Sequence, residues 1–169
     1  MSKKIIITGG IGYIGTELSK IYSGISWNNE IIVIDNRFVS ERVNQLRNWG
    51  INFIQGDILD KELLKEHLSD ADIVHHLAGI TQVSRTAKET NLDQDKKINE
   101  VAIKGTENVI AAVSKSCKII FPSTHVVFEG IKSEKKEILE EEKTSPLLTY
   151  AKGKCINEEQ LKKSGKKYV

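Results

Sequence analysis

Cysteine, proline and methionine are scarce in this sequence of 169 residues, which holds two cysteines, two prolines and one methionine. Cys117 and Cys155 lie far apart, so they have no metal-type spacing and form no disulfide framework. No apolar run approaches the length that spans a bilayer, and no apolar stretch follows the charged N-terminus as it would in a signal peptide. We therefore expect a cytoplasmic protein with reduced thiols.

An excess of charge of either sign is also absent, because 25 lysines and arginines nearly balance 23 aspartates and glutamates. The net charge of +2 gives no reason to expect nucleic acid as a partner. His67, His75 and His76 show no metal-ligand grouping. Hydrophobic residues at 39% and charged residues at 28% are usual for a globular domain, and the length suits one domain.

Short β-branched runs alternate with longer amphipathic stretches, which is the pattern of β–α–β units around a parallel sheet. The predicted strands are Lys4–Thr8, Glu30–Asp35, Asn52–Gln55, Asp72–Leu77 and Lys118–Ser123. The predicted helices are Ile14–Tyr22, Ser40–Trp49, Lys61–His67, Asp93–Ser116 and Leu148–Lys163. This order predicts an α/β fold with a doubly wound parallel sheet, a Rossmann fold, over residues 1–169.

The last two residues, Tyr168 and Val169, resemble the beginning of a sixth strand. A strand cut at its start would leave a sheet edge and apolar surface uncovered, which proteins normally avoid. We therefore expect the Rossmann domain to be incomplete and residues 1–169 to be the N-terminal portion of a longer polypeptide.

A glycine-rich loop follows the first predicted strand, with glycines at positions 9, 12 and 15 before a helical pattern. Glycines there permit a tight turn, let backbone N–H groups approach a pyrophosphate and allow close helix–strand packing. The helix N-terminus adds a field that favours anionic phosphates. Strand before and helix after are the context that this motif requires, so the loop predicts dinucleotide binding.

Asp35 ends the second predicted strand, 20 residues beyond Gly15. A carboxylate at this place can accept hydrogen bonds from both hydroxyls of an adenosine ribose, and it repels the additional phosphate of NADP. Asp35 therefore favours NAD, although Arg37, two residues further, could offset the repulsion.

Two further groups are candidates for acid–base chemistry. Tyr150 and Lys154 are four residues apart and share one face if the stretch is helical. A neighbouring ammonium favours the phenolate and makes a tyrosine usable near neutral pH. Ser123 and Thr124 follow the fifth strand, where a hydroxyl can face the ligand crevice of a doubly wound sheet or simply cap the strand end.

Together these residues resemble the extended short-chain dehydrogenase/reductase family, specifically its NAD-dependent epimerase/dehydratase group, in the family's order along the whole chain. The stretches that carry the resemblance are Thr8-Gly9-Gly10-Ile11-Gly12-Tyr13-Ile14-Gly15, Asp35-Asn36, Gly56-Asp57-Ile58, His76-Leu77-Ala78-Gly79, Ser123–Phe128 and the pair Tyr150 and Lys154. The resemblance implies that the cofactor NAD is held by Gly9, Gly12, Tyr13, Ile14, Gly15, Asp35, Asn36, Asp57, Ile58, Leu77, Ala78, Gly79, Tyr150 and Lys154.

The resemblance also implies the roles of the catalytic residues. Tyr150 would be the acid or base, with its pKa lowered by Lys154 and by the charge of the nicotinamide. Thr124 would hold the reacting oxygen, and the hydride would pass between the substrate and NAD and later return. The expected substrate is a nucleotide-linked sugar, bound largely by a C-terminal domain that these residues lack. We therefore expect this stretch alone to be poorly active, and the full-length protein to be a homodimer built on the last two predicted helices.

One position departs from the family pattern. Lys104–Val109 is close to the family's NVxGTxNL segment, but the family's asparagine falls at Ala102, which offers no polar contact. Asn99, one helical turn earlier, is a candidate substitute. His125, beside Thr124, is expected to be an ordinary partly buried histidine rather than a catalytic one.

Two other functions compete with this prediction. The segment from Ser123 to Gly130 also resembles that of NAD(P)H-dependent deoxysugar-nucleotide reductases, which release their oxidised cofactor in each cycle. A non-catalytic nucleotide-binding module is the second alternative; Ala102 favours it, whereas Thr124, Tyr150 and Lys154 argue against it.

Overall fold

The computed structural model describes residues 2–25, 28–81, 86, 89, 91–132 and 137–169. A six-stranded sheet has the order β3-β2-β1-β4-β5-β6, and every neighbouring pair is parallel. The strands are β1 (Lys4–Thr8), β2 (Glu30–Asp35), β3 (Asn52–Gln55), β4 (Ile73–His76), β5 (Lys118–Ile120) and β6 (Lys167–Tyr168). The predicted doubly wound Rossmann architecture is confirmed.

In the described part of the chain, six α-helices connect the strands. They are α1 (Tyr13–Ile25), α2 (Ser40–Asn48), α3 (Lys61–Leu68), α4 (Leu92–Asn99), α5 (Thr106–Ala112) and α6 (Thr149–Lys163). A 3-10 helix covers His125–Phe128. Among the residues that the structure describes, no helix has the length and apolar character needed to cross a lipid bilayer.

Two apolar layers cover the sheet because successive side chains of a strand point to opposite faces. Ile6, Ile32 and Ile34 belong to one core, with Val109 of α5 and Leu161 of α6. The other core contains residues of β1 and β2, the glycine loop and α2, namely Ile7, Ile31, Val33, Ile11 and Leu46. Both faces of β1 and β2 are therefore buried, as the unbroken isoleucine-rich runs predicted.

The long helix predicted over Asp93–Ser116 is not one α-helix. Between α4 and α5, residues Glu100–Gly105 form a π-helix, and α5 ends at Ala112 because Val113 is extended. Side-chain amides of α6 donate to the backbone carbonyl oxygens of this segment, Asn157 to Ala102 at 2.7 Å and Gln160 to Ile103 at 3.2 Å. Such tertiary contacts satisfy carbonyl groups locally and help a π segment to persist where periodicity alone predicts a regular helix.

The predicted fifth strand also ends earlier than expected. Its ladder stops after Ile120, and the next N–H, of Phe121, donates to the carbonyl oxygen of Val169 at 2.9 Å. Pro122 has no N–H and cannot continue the ladder. β6 pairs with β5 through Lys118 and Ile119, which confirms a sixth strand at the end of the sequence.

Helix α1 packs directly on the backbone of the glycine loop. A Cβ placed on Gly15 would lie 2.5 Å from the Cα atom of Gly10, far inside van der Waals contact. Backbone atoms cannot move aside as a flexible side chain can. The close approach that aims the N-terminus of α1 at the loop therefore requires glycine at position 15.

We predict that Gly15→Ala lowers the free energy of unfolding by about 2 kcal/mol, because the added methyl group overpacks this contact. Gly24→Ala, in the same helix, is the matched control, since no atom lies within 4 Å of a Cβ built there. That control is expected to leave the stability unchanged or to raise it slightly. Urea denaturation of both variants checks the prediction, and equal stabilities would contradict it.

Candidate functional site

The glycine loop turns tightly at the carboxyl end of β1. Gly9 has a φ of +70°, and its N–H donates to the carbonyl oxygen of Ile34 at 2.7 Å. A Cβ on Gly9 would lie 2.7 Å from Ala78, so the loop touches the chain that leaves β4. The N–H of Gly12 closes the turn on the carbonyl oxygen of Gly9 at 3.0 Å, and α1 begins at the next residue. The loop and the N-terminus of α1 together form a concave surface, here called the cradle, and its binding of a pyrophosphate stays a prediction.

The first helical turn exposes apolar side chains beside this cradle. Tyr13 is 79% exposed and Ile14 is 61% exposed. Adjacent large exposed apolar groups at the rim of a concave site are typical of a surface that a ligand covers.

Asp35 lies at the carboxyl end of β2 with its side chain almost fully buried. Its Oδ2 accepts from the backbone N–H of Ile11 at 3.2 Å, and its Oδ1 accepts from the backbone N–H of Arg37 at 3.1 Å. The carboxylate thus connects the end of β2 to the glycine loop. The guanidinium of Arg37 pairs with the same carboxylate.

Two of the segments that the resemblance assigns to the cofactor, Asp35-Asn36 and Gly56-Asp57-Ile58, meet in the structure. The Asn36 amide donates to Oδ2 of Asp57 at 2.9 Å, and Oδ1 of Asp57 accepts from the N–H of Leu59 at 2.9 Å. The Asn108 amide of α5 donates to the carbonyl oxygen of Ile58 at 3.1 Å. Asn36, Asp57 and Ile58 are therefore held together at the edge of the cradle.

The segment after β4 runs along the end of β1. The N–H of Leu77 donates to the carbonyl oxygen of Thr8 at 3.1 Å, and the N–H of Ala78 donates to the Thr8 hydroxyl at 3.4 Å. Leu77 and Ala78 are half-buried, and Gly79 is exposed. These three residues line the cradle on the side away from Asp35.

A buried histidine joins three elements beneath this segment. His76 Nδ1 lies 2.8 Å from the Thr8 hydroxyl of β1, and His76 Nε2 lies 3.0 Å from the Thr106 hydroxyl of α5. Burial, with a smaller contribution from the charge of Lys154, lowers the pKa of His76 to about 3. The ring is therefore neutral, with one donor and one acceptor to exchange with the two threonines. Sequence reasoning had placed His76 in a cofactor segment without assigning it this structural role.

Arg42 is a residue that nothing in the local sequence singles out. It lies in α2, and its guanidinium donates to the carbonyl oxygen of Ile11. Ile11 is thus held on both sides of its backbone, by Asp35 at the N–H and by Arg42 at the carbonyl. A surface arginine 31 residues away in sequence carries no periodic or motif signal for this contact.

Tyr150 and Lys154 lie on the first turns of α6, and Lys154 reaches the residues that follow β5. The Lys154 Nζ atom donates to the carbonyl oxygen of Pro122 at 2.7 Å and lies 4.2 Å from the centre of the Phe121 ring. The same atom lies 5.9 Å from the centre of the Tyr150 ring. The helix therefore brings the predicted pair together near the carboxyl end of β5.

Burial acts on both groups of this pair. It lowers the pKa of Lys154 to about 8, against an opposing effect of the Glu158 carboxylate. Burial also raises the pKa of Tyr150 above that of an ordinary phenol. The family resemblance implies a lowered pKa for Tyr150, but the residues of the chain alone do not lower that pKa. A protonated phenol is suited to donating a proton rather than to removing one.

Thr124 and Ser123 follow β5 and form different contacts, one local and one with α6. The Thr124 hydroxyl accepts from the N–H of Val126 at 3.4 Å and caps the 3-10 helix. The Ser123 hydroxyl donates to the Glu158 carboxylate of α6. Thr124 is half-buried, whereas Ser123 and His125 are exposed. Thr124 thus acts as a cap, but of the 3-10 helix rather than of the strand end, and the Ser123 hydroxyl is the one that contacts α6.

Ala102 lies inside the π-helix, directly opposite α6. A Cβ on Gly153 would approach the Ala102 Cβ to 3.3 Å. α6, whose first turn carries Tyr150, therefore packs closely on Ala102. Asn99 ends α4 and is half-buried, and its role as a substitute remains a prediction.

A family model and individual relatives show which known proteins this chain is similar to. The sequence model of the 3-beta hydroxysteroid dehydrogenase/isomerase family matches residues 6–169. A UDP-glucose 4-epimerase from Mycoplasma genitalium is 30% identical over 164 residues, which cover 92% of this chain and 46% of the relative. A dTDP-D-glucose 4,6-dehydratase from Dictyostelium discoideum is 34% identical over 134 residues, which cover 75% of this chain and 30% of the relative.

Solved structures agree with the sequence matches. The UDP-glucose 4-epimerase from Brucella ovis in complex with NAD superimposes with a TM-score of 0.79 and is 25% identical. The match covers 99% of this chain and 50% of that chain. The chain thus spans less than half the length of the curated relatives that it matches first, and about half of the solved structure.

The buried His76 predicts a pH dependence of stability. Below pH 6.5 the unfolded chain takes up a proton that the folded ring, with its pKa of about 3, does not bind. The contribution of the neutral His76 ring to the free energy of unfolding is therefore fully present above pH 6.5. It falls by on the order of 1 kcal/mol for each pH unit below that value. His75, whose pKa burial also lowers, acts in the same direction.

We expect His76→Gln to remove the His76 part of this slope between pH 6.5 and pH 5, whatever its effect on absolute stability. His125→Gln, which removes an exposed imidazole, is the control for the loss of a histidine. Urea unfolding at several pH values measures both slopes. A His76→Gln slope equal to that of the unmodified protein would show that the ring titrates in the folded state.

Proposed function

The chain belongs to the 3-beta hydroxysteroid dehydrogenase/isomerase family, and on that premise we propose that the protein epimerises or dehydrates a nucleotide-linked sugar with NAD as a recycled cofactor. Residues 1–169 supply the cofactor site and the acid–base residues, and a C-terminal domain outside this chain supplies most substrate contacts. The observation that supports the proposal is the position of Lys154, which donates to the Pro122 carbonyl oxygen after β5 and lies 5.9 Å from the centre of the Tyr150 ring.

The residues of the cradle fit a dinucleotide. The loop from Gly9 to Gly15 and the start of α1 offer backbone N–H groups and a positive field to the pyrophosphate. Asp35 offers a buried carboxylate to the adenosine ribose. Asn36 and Asp57 line the place for the adenine, and Ile58, whose side chain is buried in the core, offers its backbone there. Tyr13, Ile14, Leu77, Ala78 and Gly79 complete the walls.

The acid–base residues have separate tasks. Tyr150 donates a proton to the sugar oxygen or removes one from it, and Thr124 holds that oxygen by a hydrogen bond. Lys154, which contacts Pro122 here, would hold a hydroxyl of the nicotinamide ribose and would keep its charge near the tyrosine. That charge opposes the effect of burial on the pKa of Tyr150. The bound NAD supplies hydride acceptance and return.

The substrate class rests on the relatives, whose names specify UDP-glucose and dTDP-D-glucose. The identity of the sugar depends on contacts outside residues 1–169. A homodimer of the full-length protein, built on the α4–α5 and α6 stretches, remains part of the proposal.

The cofactor site is tested by titrating NAD into the purified chain in a calorimeter. We expect saturable binding that Gly12→Val abolishes, because the valine side chain fills the space for the pyrophosphate. Asp35→Asn removes the negative charge that the ribose hydroxyls bind and should weaken NAD by about tenfold or more. Asp93→Ala, an exposed carboxylate on α4, is the control. Failure of a folded chain to bind NAD would contradict the proposal.

The acid–base assignment is tested in the protein that carries residues 1–169 with its remaining domain. Tyr150→Phe should lower kcat on a panel of UDP- and dTDP-sugars by about 100-fold to 10,000-fold, with NAD affinity retained. Tyr168→Phe, a half-exposed tyrosine on β6, is the control. Unchanged biological activity of Tyr150→Phe would favour the non-catalytic module. Repeated turnover only with added NADH or NADPH would favour the reductase.

A further inference from the structure

The carboxylate of Asp35 has no acceptor site to spare. Besides the backbone N–H groups of Ile11 and Arg37, it accepts two bonds from the Arg37 guanidinium. Nε lies 3.2 Å from Oδ1, and Nη2 lies 3.3 Å from Oδ2. A carboxylate offers about four lone-pair positions, and four donors occupy them. The two hydroxyls of an adenosine ribose can therefore bind Asp35 only if two of these donors leave.

Only the guanidinium can leave without disturbing the fold. The Ile11 side chain is fully buried, and the carbonyl group of Ile11 is held by Arg42, so the N–H of Ile11 cannot withdraw from Asp35. The backbone N–H of Arg37 is two residues from Asp35 along the chain and stays with it. The Arg37 side chain, in contrast, is 60% exposed, whereas that of Asp35 is only 3% exposed.

The guanidinium also extends over the cofactor cradle. A Cβ built on Gly12 would lie 3.9 Å from Arg37 Nη2, so the group bridges the end of β2 and the glycine loop. Once displaced from Asp35, the guanidinium stays beside the ribose, because Arg37 is only two residues from Asp35 along the chain. A planar guanidinium binds a phosphate group with two parallel, charge-assisted hydrogen bonds. A neutral ribose hydroxyl cannot form such a pair, so the guanidinium binds phosphate more strongly.

We propose that Arg37 sets the cofactor selectivity of this site. In the free protein its guanidinium occupies the place on Asp35 that the ribose hydroxyls of NAD take, and after displacement it pairs with a 2′-phosphate. Arg37 therefore opposes NAD and assists NADP, which narrows the preference for NAD that Asp35 creates. The inference rests on the proposed dinucleotide site and concerns which dinucleotide that site accepts.

Calorimetric titration of NAD and NADP into the purified chain tests this selectivity. Arg37→Ala should tighten NAD by about threefold or more, because no competing donor remains on the carboxylate. The same variant should weaken NADP by about tenfold or more, because the 2′-phosphate loses its cation and faces Asp35. Arg37→Lys should weaken NADP less than Arg37→Ala does, because it keeps the charge without the planar fork.

Arg47→Ala is the matched control, since it removes the same charge from an exposed arginine of α2, and we expect it to change either affinity by less than about twofold. Equal weakening of NAD and NADP by Arg37→Ala would overturn the inference and place the guanidinium on the shared pyrophosphate. Unchanged affinities would overturn it as well. Failure of the folded unmodified chain to bind either dinucleotide would overturn the cofactor proposal together with this inference, whereas the two preceding results leave the cofactor proposal intact.

Discussion

A buried carboxylate that must keep its hydrogen-bond donors is the constraint on which the rest of the site depends. Asp35 ends β2, and its oxygens fix the N–H of Ile11 in the glycine loop and the chain that leads into α2. Breaking these hydrogen bonds would leave a buried carboxylate without its donors, which is costly, so Asp35 holds the loop against β2. The position of the loop in turn sets the start of α1. The group that would select the ribose is thus also the group that shapes the cradle for the phosphates.

On the other side of the cradle, the buried His76 ring also connects neighbouring elements by hydrogen bonds. Its two ring nitrogens connect β1 to α5 through Thr8 and Thr106, and α5 contributes the Asn108 amide that holds Ile58. Lys154 lies near enough for its charge to contribute to the lowered pKa of this ring. Side-chain hydrogen bonds therefore connect β1, β4 and α5 beneath one end of the proposed cofactor site and hold Ile58 at the other. Such a network favours a single arrangement because each member would be unsatisfied in another.

The features that local sequence could predict are those whose causes are local. The glycine loop, Asp35 and the alternation of strands and helices follow from residue type and spacing, and the structure places them as expected. The π-helix was missed because its carbonyl groups are satisfied by Asn157 and Gln160, more than 50 residues away. Arg42 was missed for the same reason. The raised pKa of Tyr150 was also unpredictable, since it depends on burial that only the packed α6 creates.

A crystal structure of the chain with NAD would test the central claim most directly, namely that this network forms one dinucleotide site ending at Tyr150 and Lys154. The account predicts the adenosine ribose hydroxyls on Asp35, the pyrophosphate on the N–H groups at the start of α1 and the adenine beside Asp57. It also predicts that Lys154 leaves the Pro122 carbonyl for the nicotinamide ribose, with the Tyr150 hydroxyl next to the nicotinamide. A dinucleotide bound elsewhere, or bound in the cradle with Lys154 still on Pro122 and Tyr150 remote from the nicotinamide, would contradict it.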